Sequence, residues 1–135
     1  MVGVIALKPI LLVDDEPRLL NLLESYLRGL GYAPVACESS VDAWERFERQ
    51  PSGFSVVVVD LKMPDISGQE LSARMLDLNP SVRLVVSSGY PFDVSSIPAP
   101  DPNQVEFLQK PYSPSMLART LERLLGNCRG CGTIA

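Results

Sequence analysis

Short apolar runs alternate along the chain with stretches in which hydrophobic residues recur every three or four positions. The runs cover residues 10–13, 33–37, 54–59, 84–86 and 105–108. Their length suits β-strands. The first, third and fourth are almost continuously apolar, the pattern of strands covered on both faces. The periodic stretches between them predict helices, and a βαβ alternation of this kind predicts a parallel sheet with crossover helices.

Local punctuation sets the helix ends. The first helix is predicted to start at Pro17, a favourable first-turn residue after Asp14 and Asp15, and to stop near Gly31. Its apolar face reads Leu20, Leu23, Leu27 and Leu30. The second follows Ser39-Ser40 with Val41, Trp44 and Phe47 on one side. The third runs from about Gly68 through Leu71, Met75 and Leu78 to Asn79-Pro80. The last opens at Ser113-Pro114 and carries Leu117, Leu121 and Leu124. One crossover breaks the rule. Between Ser88 and Lys110 the chain holds Pro91, Pro98, Pro100 and Pro102. A proline inside a helix costs about 3 kcal/mol or more, so the fourth crossover helix is predicted to be short or missing.

The 135 residues fit one domain, with a core at residues 8–125 and a tail at 126–135. The net charge of −4 and the lack of clustered Lys and Arg in the sequence argue against nucleic acid as a direct partner. The apolar N-terminus is too short for a membrane span and lacks the basic lead of a secretion signal, so a cytoplasmic protein without membrane insertion is expected. The chain has no histidine, which removes His-based triads, general bases and metal ligands. Three cysteines without a secretion signal argue against a disulfide framework. Cys37 reads as a buried strand residue, and Cys128 and Cys131 as free thiols of the tail.

Candidate chemistry gathers at strand ends, where open parallel sheets bind ligands. Asp14 and Asp15 follow the first apolar run, and Asp60 ends the third. The first and third strands of a doubly wound sheet are neighbours, so the three acids converge. Two charges ~4 Å apart repel by roughly 4 kcal/mol at an effective dielectric of 20, so such a cluster retains a proton or recruits a cation. Carboxylates without His or Cys favour Mg²⁺ or Mn²⁺. Ser88 ends the fourth run and Lys110 follows the fifth, adding a hydroxyl and an ammonium. A phosphoryl group on Asp60 would meet the metal, Ser88 and Lys110 on its three oxygens, which is most of what phosphoryl transfer asks of a protein.

The stretches LLVDDEP, VVVVDLKMPDISG, VVSSGY and FLQKPYS resemble the response regulator receiver family from Lys8 to about Leu125. The resemblance implies a flavodoxin-like sheet of five parallel strands in the order 2-1-3-4-5. It makes Asp60 the nucleophile and phosphoryl acceptor. The metal would be held by Asp14, Asp15, Asp60 and the Lys62 backbone carbonyl. Ser88 takes the family's hydroxyl position, Lys110 its lysine, with a cis bond to Pro111, and Phe107 its aromatic switch. Gly68 closes the loop after the acceptor. Lys62 and Tyr90 fall where the family tunes attack by water, and bulky Tyr90 is expected to slow loss of the phosphoryl group. The implied partners are a sensor histidine kinase or histidine phosphotransfer protein, with an unidentified downstream protein reached through a rearranged output face. GYP and FLQKPYSP are similar to receivers of hybrid sensor histidine kinases, so the chain stands alone or belongs to a larger kinase.

Two other classes compete. An aspartyl-nucleophile phosphatase or phosphotransferase would place an acid where Lys62 stands, so no enzyme is expected. A dinucleotide enzyme would need glycines where DDEPRL stands. The stronger rival is a receiver-fold interaction module that is never phosphorylated.

Overall fold

The computed structural model describes residues 9–128. Lys8, Cys131 and the rest of the predicted tail beyond Cys128 lie outside the described residues. Five strands, β1 (Pro9–Val13), β2 (Ala33–Cys37), β3 (Val56–Asp60), β4 (Arg83–Ser88) and β5 (Val105–Gln109), form one parallel sheet in the order β2-β1-β3-β4-β5. The helices are α1 (Pro17–Gly29), α2 (Ser40–Arg49), α3 (Gly68–Leu78) and α4 (Pro114–Cys128). Two cores result. One packs Leu11, Val57, Val59 and Val86 against Phe47, Leu71 and Met75 of α2 and α3. The other packs Leu12, Val58 and Val85 against Leu20, Leu27, Leu117 and Leu121 of α1 and α4.

Helix starts obey local chemistry. Proline opens α1, as the sequence predicts. The Ser39 and Ser67 side chains cap α2 and α3 by accepting from the Asp42 and Glu70 N–H groups. Gly31, at φ 97°, turns the chain after α1. Three predicted apolar positions instead face solvent: Leu30, Val41 and Leu78. Leu30 is the residue after the last turn of α1, and Leu78 is the last residue of α3. Val41 stands six residues before Phe47, off the helical stripe, whereas Ala43 and Ser40, four and seven before it, are buried.

The proline-rich crossover contains two single 3₁₀ turns, Val94–Ser96 and Pro102–Gln104, in place of a fourth α-helix, as its prolines predict. Its caps are local. The Asp93 side chain accepts from the Ser95 N–H, and Asp101 and Gln104 form a reciprocal capping box. The Gln104 amide also donates to the carbonyls of Pro80 and Val82, at 2.7 and 2.9 Å. Ile97 is buried, and Phe92 packs against Phe107 of β5 with ring centroids 6.4 Å apart.

Candidate phosphoacceptor site

Strand register brings the candidate residues together. Val13 pairs with Val59 and Asp60 with Ser87, so Asp14 comes level with Asp60 at the carboxyl edge of the sheet. The ladder continues past the strand ends, with the Leu61 N–H on the Ser87 carbonyl at 2.9 Å and the Lys110 N–H on the Ser88 carbonyl at 2.8 Å. Alternation then chooses the face. Asp14, Asp60 and Lys110 extend the rows of Leu12, Val58 and Leu108, all in the core beneath α1 and α4. Ser88 extends the row of Val86, on the face that carries Phe107.

The three acids present carboxylate oxygens within 4.8 Å of one another. Asp14 and Asp60 are buried and Asp15 is exposed. The Lys110 ammonium lies between the buried pair, donating to Asp14 Oδ2 at 2.8 Å and Asp60 Oδ2 at 3.3 Å. The other oxygen of each carboxylate accepts from backbone, Asp14 Oδ1 from the Glu16 N–H and Asp60 Oδ1 from the Lys62 N–H. Burial first, and the Asp14 charge second, hold the Asp60 carboxyl above its ordinary range, against the pull of the Lys62 amide and Lys110. Burial alone would lower Lys110, but its hydrogen bond and attraction to Asp14, reinforced by Asp60, raise it. One ammonium therefore leaves the buried carboxylates incompletely compensated. A set of hard oxygens this close, with no imidazole or thiolate among them, fits a divalent cation of the Mg²⁺ type.

The remaining predicted residues have partners of their own. The Ser88 hydroxyl oxygen accepts from the Tyr90 N–H at 3.1 Å. The Lys110–Pro111 bond is cis. Lys62 Nζ lies 5.0 Å above the exposed Tyr90 ring, so the two side chains meet as a cation–π pair. Phe107 is half-buried against Phe92. A groove of about 570 Å³ opens beside Lys110, lined by Leu19, Leu22, Pro111 and Tyr112 among others. Burial, with the charges of Asp14 and Asp60, raises the Tyr112 hydroxyl pKa. Sequence reasoning missed Tyr112, Phe92 and Ser40. The LQKPYS stretch contains Tyr112 directly after the lysine and proline, a signal that could have found it. Phe92 and Ser40 gave no local signal, because their partners are distant in the chain.

An open parallel α/β sheet that collects three carboxylates and a lysine at its topological switch point defines a phosphate-handling switch domain. More specifically, the chain belongs to the response regulator receiver domain family, whose sequence model matches residues 10–122. It is 26% identical over 119 residues to the response regulator receiver protein CpdR of Brucella abortus, covering 88% of this chain and 98% of that protein. It is 30% identical over 116 residues to the sensor kinase CckA of the same organism, covering 86% of this chain but 12% of the kinase. A CheY-like receiver domain from Methanospirillum hungatei superposes with a TM-score of 0.82 at 24% identity, covering 94% of this chain and 100% of that one. The chain is thus a phosphoacceptor-type receiver domain with an acidic pocket at Asp14, Asp15 and Asp60. Among the described residues, no helix is long and apolar enough to cross a membrane.

Proposed function

We propose that Asp60 accepts a phosphoryl group from a phosphohistidine on a sensor histidine kinase or histidine phosphotransfer protein, in the cytoplasm where such donors are charged. The observation that carries this reading is the shared site of Asp14, Asp15 and Asp60 with Lys110 between the buried pair. A carboxylate oxygen of Asp60 bonds to phosphorus as the P–N bond breaks. The electron pair returns to the donor imidazole, which takes up a proton. Asp14, Asp15, Asp60 and the Lys62 carbonyl would hold Mg²⁺ or Mn²⁺, which supplies charge neutralisation for the transferring group. Lys110 would neutralise a phosphoryl oxygen, and the Ser88 hydroxyl would move in to donate to another. That inward movement would be followed by Phe107, and the switch is a shift in population between two conformers. The domain consumes one phosphoryl group per event and is not an enzyme that turns over a substrate.

The groove beside Lys110, with exposed Leu22 on α1, is where we place the donor. The crossover, α4 and β5 form the face we assign to the downstream protein. We place the domain at residues 8–125, with 126–135 as its tail.

A small acyl phosphate donor with Mg²⁺ tests the reading through intact mass. The chain is expected to gain one phosphoryl group with Mg²⁺ and none with excess chelator. Absence of any gain at saturating donor and metal would favour the unphosphorylated interaction module. A second measurement concerns lifetime. Because Tyr90 stands where the family tunes attack by water, and its ring is paired with Lys62, Tyr90→Ala is expected to lose the phosphoryl group several-fold faster. An unchanged decay curve would remove Tyr90 from that role.

A further inference from the structure

Ser40 opens α2 and is buried, although serine is mostly a surface residue. Its hydroxyl donates to the Pro64 carbonyl at 3.0 Å and accepts from the Ile66 N–H at 3.2 Å. Those two groups flank Asp65, which sits in the left-handed region at φ 69°. A side chain with a Cβ is disfavoured there, and aspartate is among the few that tolerate it. One hydroxyl therefore brackets the most strained residue of the loop.

That loop, residues 61–67, links Asp60 to α3. Its ends are joined by the Gly68 N–H on the Leu61 carbonyl at 2.9 Å. Met63 and Ile66 are buried in the core beneath α2 and α3. Lys62, whose carbonyl the proposed site offers to the cation, lies two residues before the carbonyl that Ser40 holds. The chemistry of a hydroxyl suits this task, because it satisfies a donor and an acceptor on either side of a turn at once. Alanine would leave both backbone groups without that partner.

We infer that Ser40 is a positioning residue for the cation: it fastens the turn at Asp65 and so fixes the Lys62 carbonyl relative to Asp60. The inference rests on the phosphoacceptor reading given above. Ser40 hydrogen-bonds the loop and not the acceptor carboxylate, so its loss must appear in metal affinity and be overcome by more metal.

The test is a Mg²⁺ titration by calorimetry, paired with the Mg²⁺ dependence of phosphorylation by acetyl phosphate, on wild type, Ser40→Ala and Ser40→Cys. Partners that orient a metal ligand typically contribute 10–100-fold in affinity, so Ser40→Ala is expected to raise the Mg²⁺ Kd about tenfold. Its phosphorylation at saturating Mg²⁺ should match wild type. Ser40→Cys keeps a similar shape with a weak donor and acceptor, so it should shift the Kd in the same direction by less. It carries the test if circular dichroism shows that Ser40→Ala does not fold. An unchanged Kd in both folded variants, with or without a lower Tm, overturns the inference. So does a phosphorylation defect that saturating Mg²⁺ leaves in place. A wild-type chain that neither binds Mg²⁺ nor gains phosphoryl mass would instead overturn the phosphoacceptor reading itself.

Discussion

Gly68→Ala is expected to lower the Tm by roughly 5–10 °C and to slow phosphorylation at the same time. Helix propensity points the other way, since alanine in place of glycine favours a helix interior by about 1 kcal/mol. Packing decides the sign. A Cβ on Gly68 would lie 2.5 Å from the Leu61 Cα and 2.8 Å from the Asp60 carbonyl carbon, and closer still to the Asp60 carbonyl oxygen. These are backbone atoms at the end of a buried strand, and no flexible side chain can swing aside to make room. Overpacking of this kind typically costs about 1–3 kcal/mol and sometimes more. Relief requires α3 and the end of β3 to separate, which stretches the Gly68–Leu61 hydrogen bond and moves Asp60 from Asp14 and Lys110. Thermal melting by circular dichroism and the rate of phosphoryl gain check the two halves together. A Tm equal to or above wild type would show that propensity wins and that the close approach is relieved elsewhere.

The framework was legible because much of it is written in local chemistry. Pro17 and Pro114 through fixed φ, and Ser39 through capping, mark helix starts that coincide with observed ends. The prolines of the crossover are incompatible with a helix for equally local reasons, and 3₁₀ turns stand there. The acids were legible as a cluster because strand order and the carboxyl-edge rule place them together. Side-chain pairings across the fold were less accessible. Ser40 bonds to groups 24 and 26 residues away, and nothing in ESSVD distinguishes it from its capping neighbour Ser39. The ion pairs of Lys110 with Asp14 and Asp60 were not legible either, being set by row alternation on three strands. Val41 shows the limit of reading an apolar stripe by eye, since a displacement of six residues rotates a side chain well away from the core.

Asp60→Asn is expected to abolish phosphorylation completely, a larger functional loss than any other change considered. The amide has the shape of the carboxylate but not its nucleophilic oxygen. Its neighbours are poorly placed to substitute. Asp14 is committed to Lys110 and to the Glu16 N–H, and Asp15 lies outside the buried pair. Loss in a variant would still leave open whether Asp60 carries the phosphoryl group or only assists. Reduction of the phosphorylated wild-type chain with borohydride, which converts an acyl phosphate to homoserine, followed by peptide mass spectrometry, identifies the residue itself. Homoserine at position 60 and at no other acid is the predicted result; homoserine at 14 or 15, or none in a chain that has gained phosphoryl mass, would contradict the account.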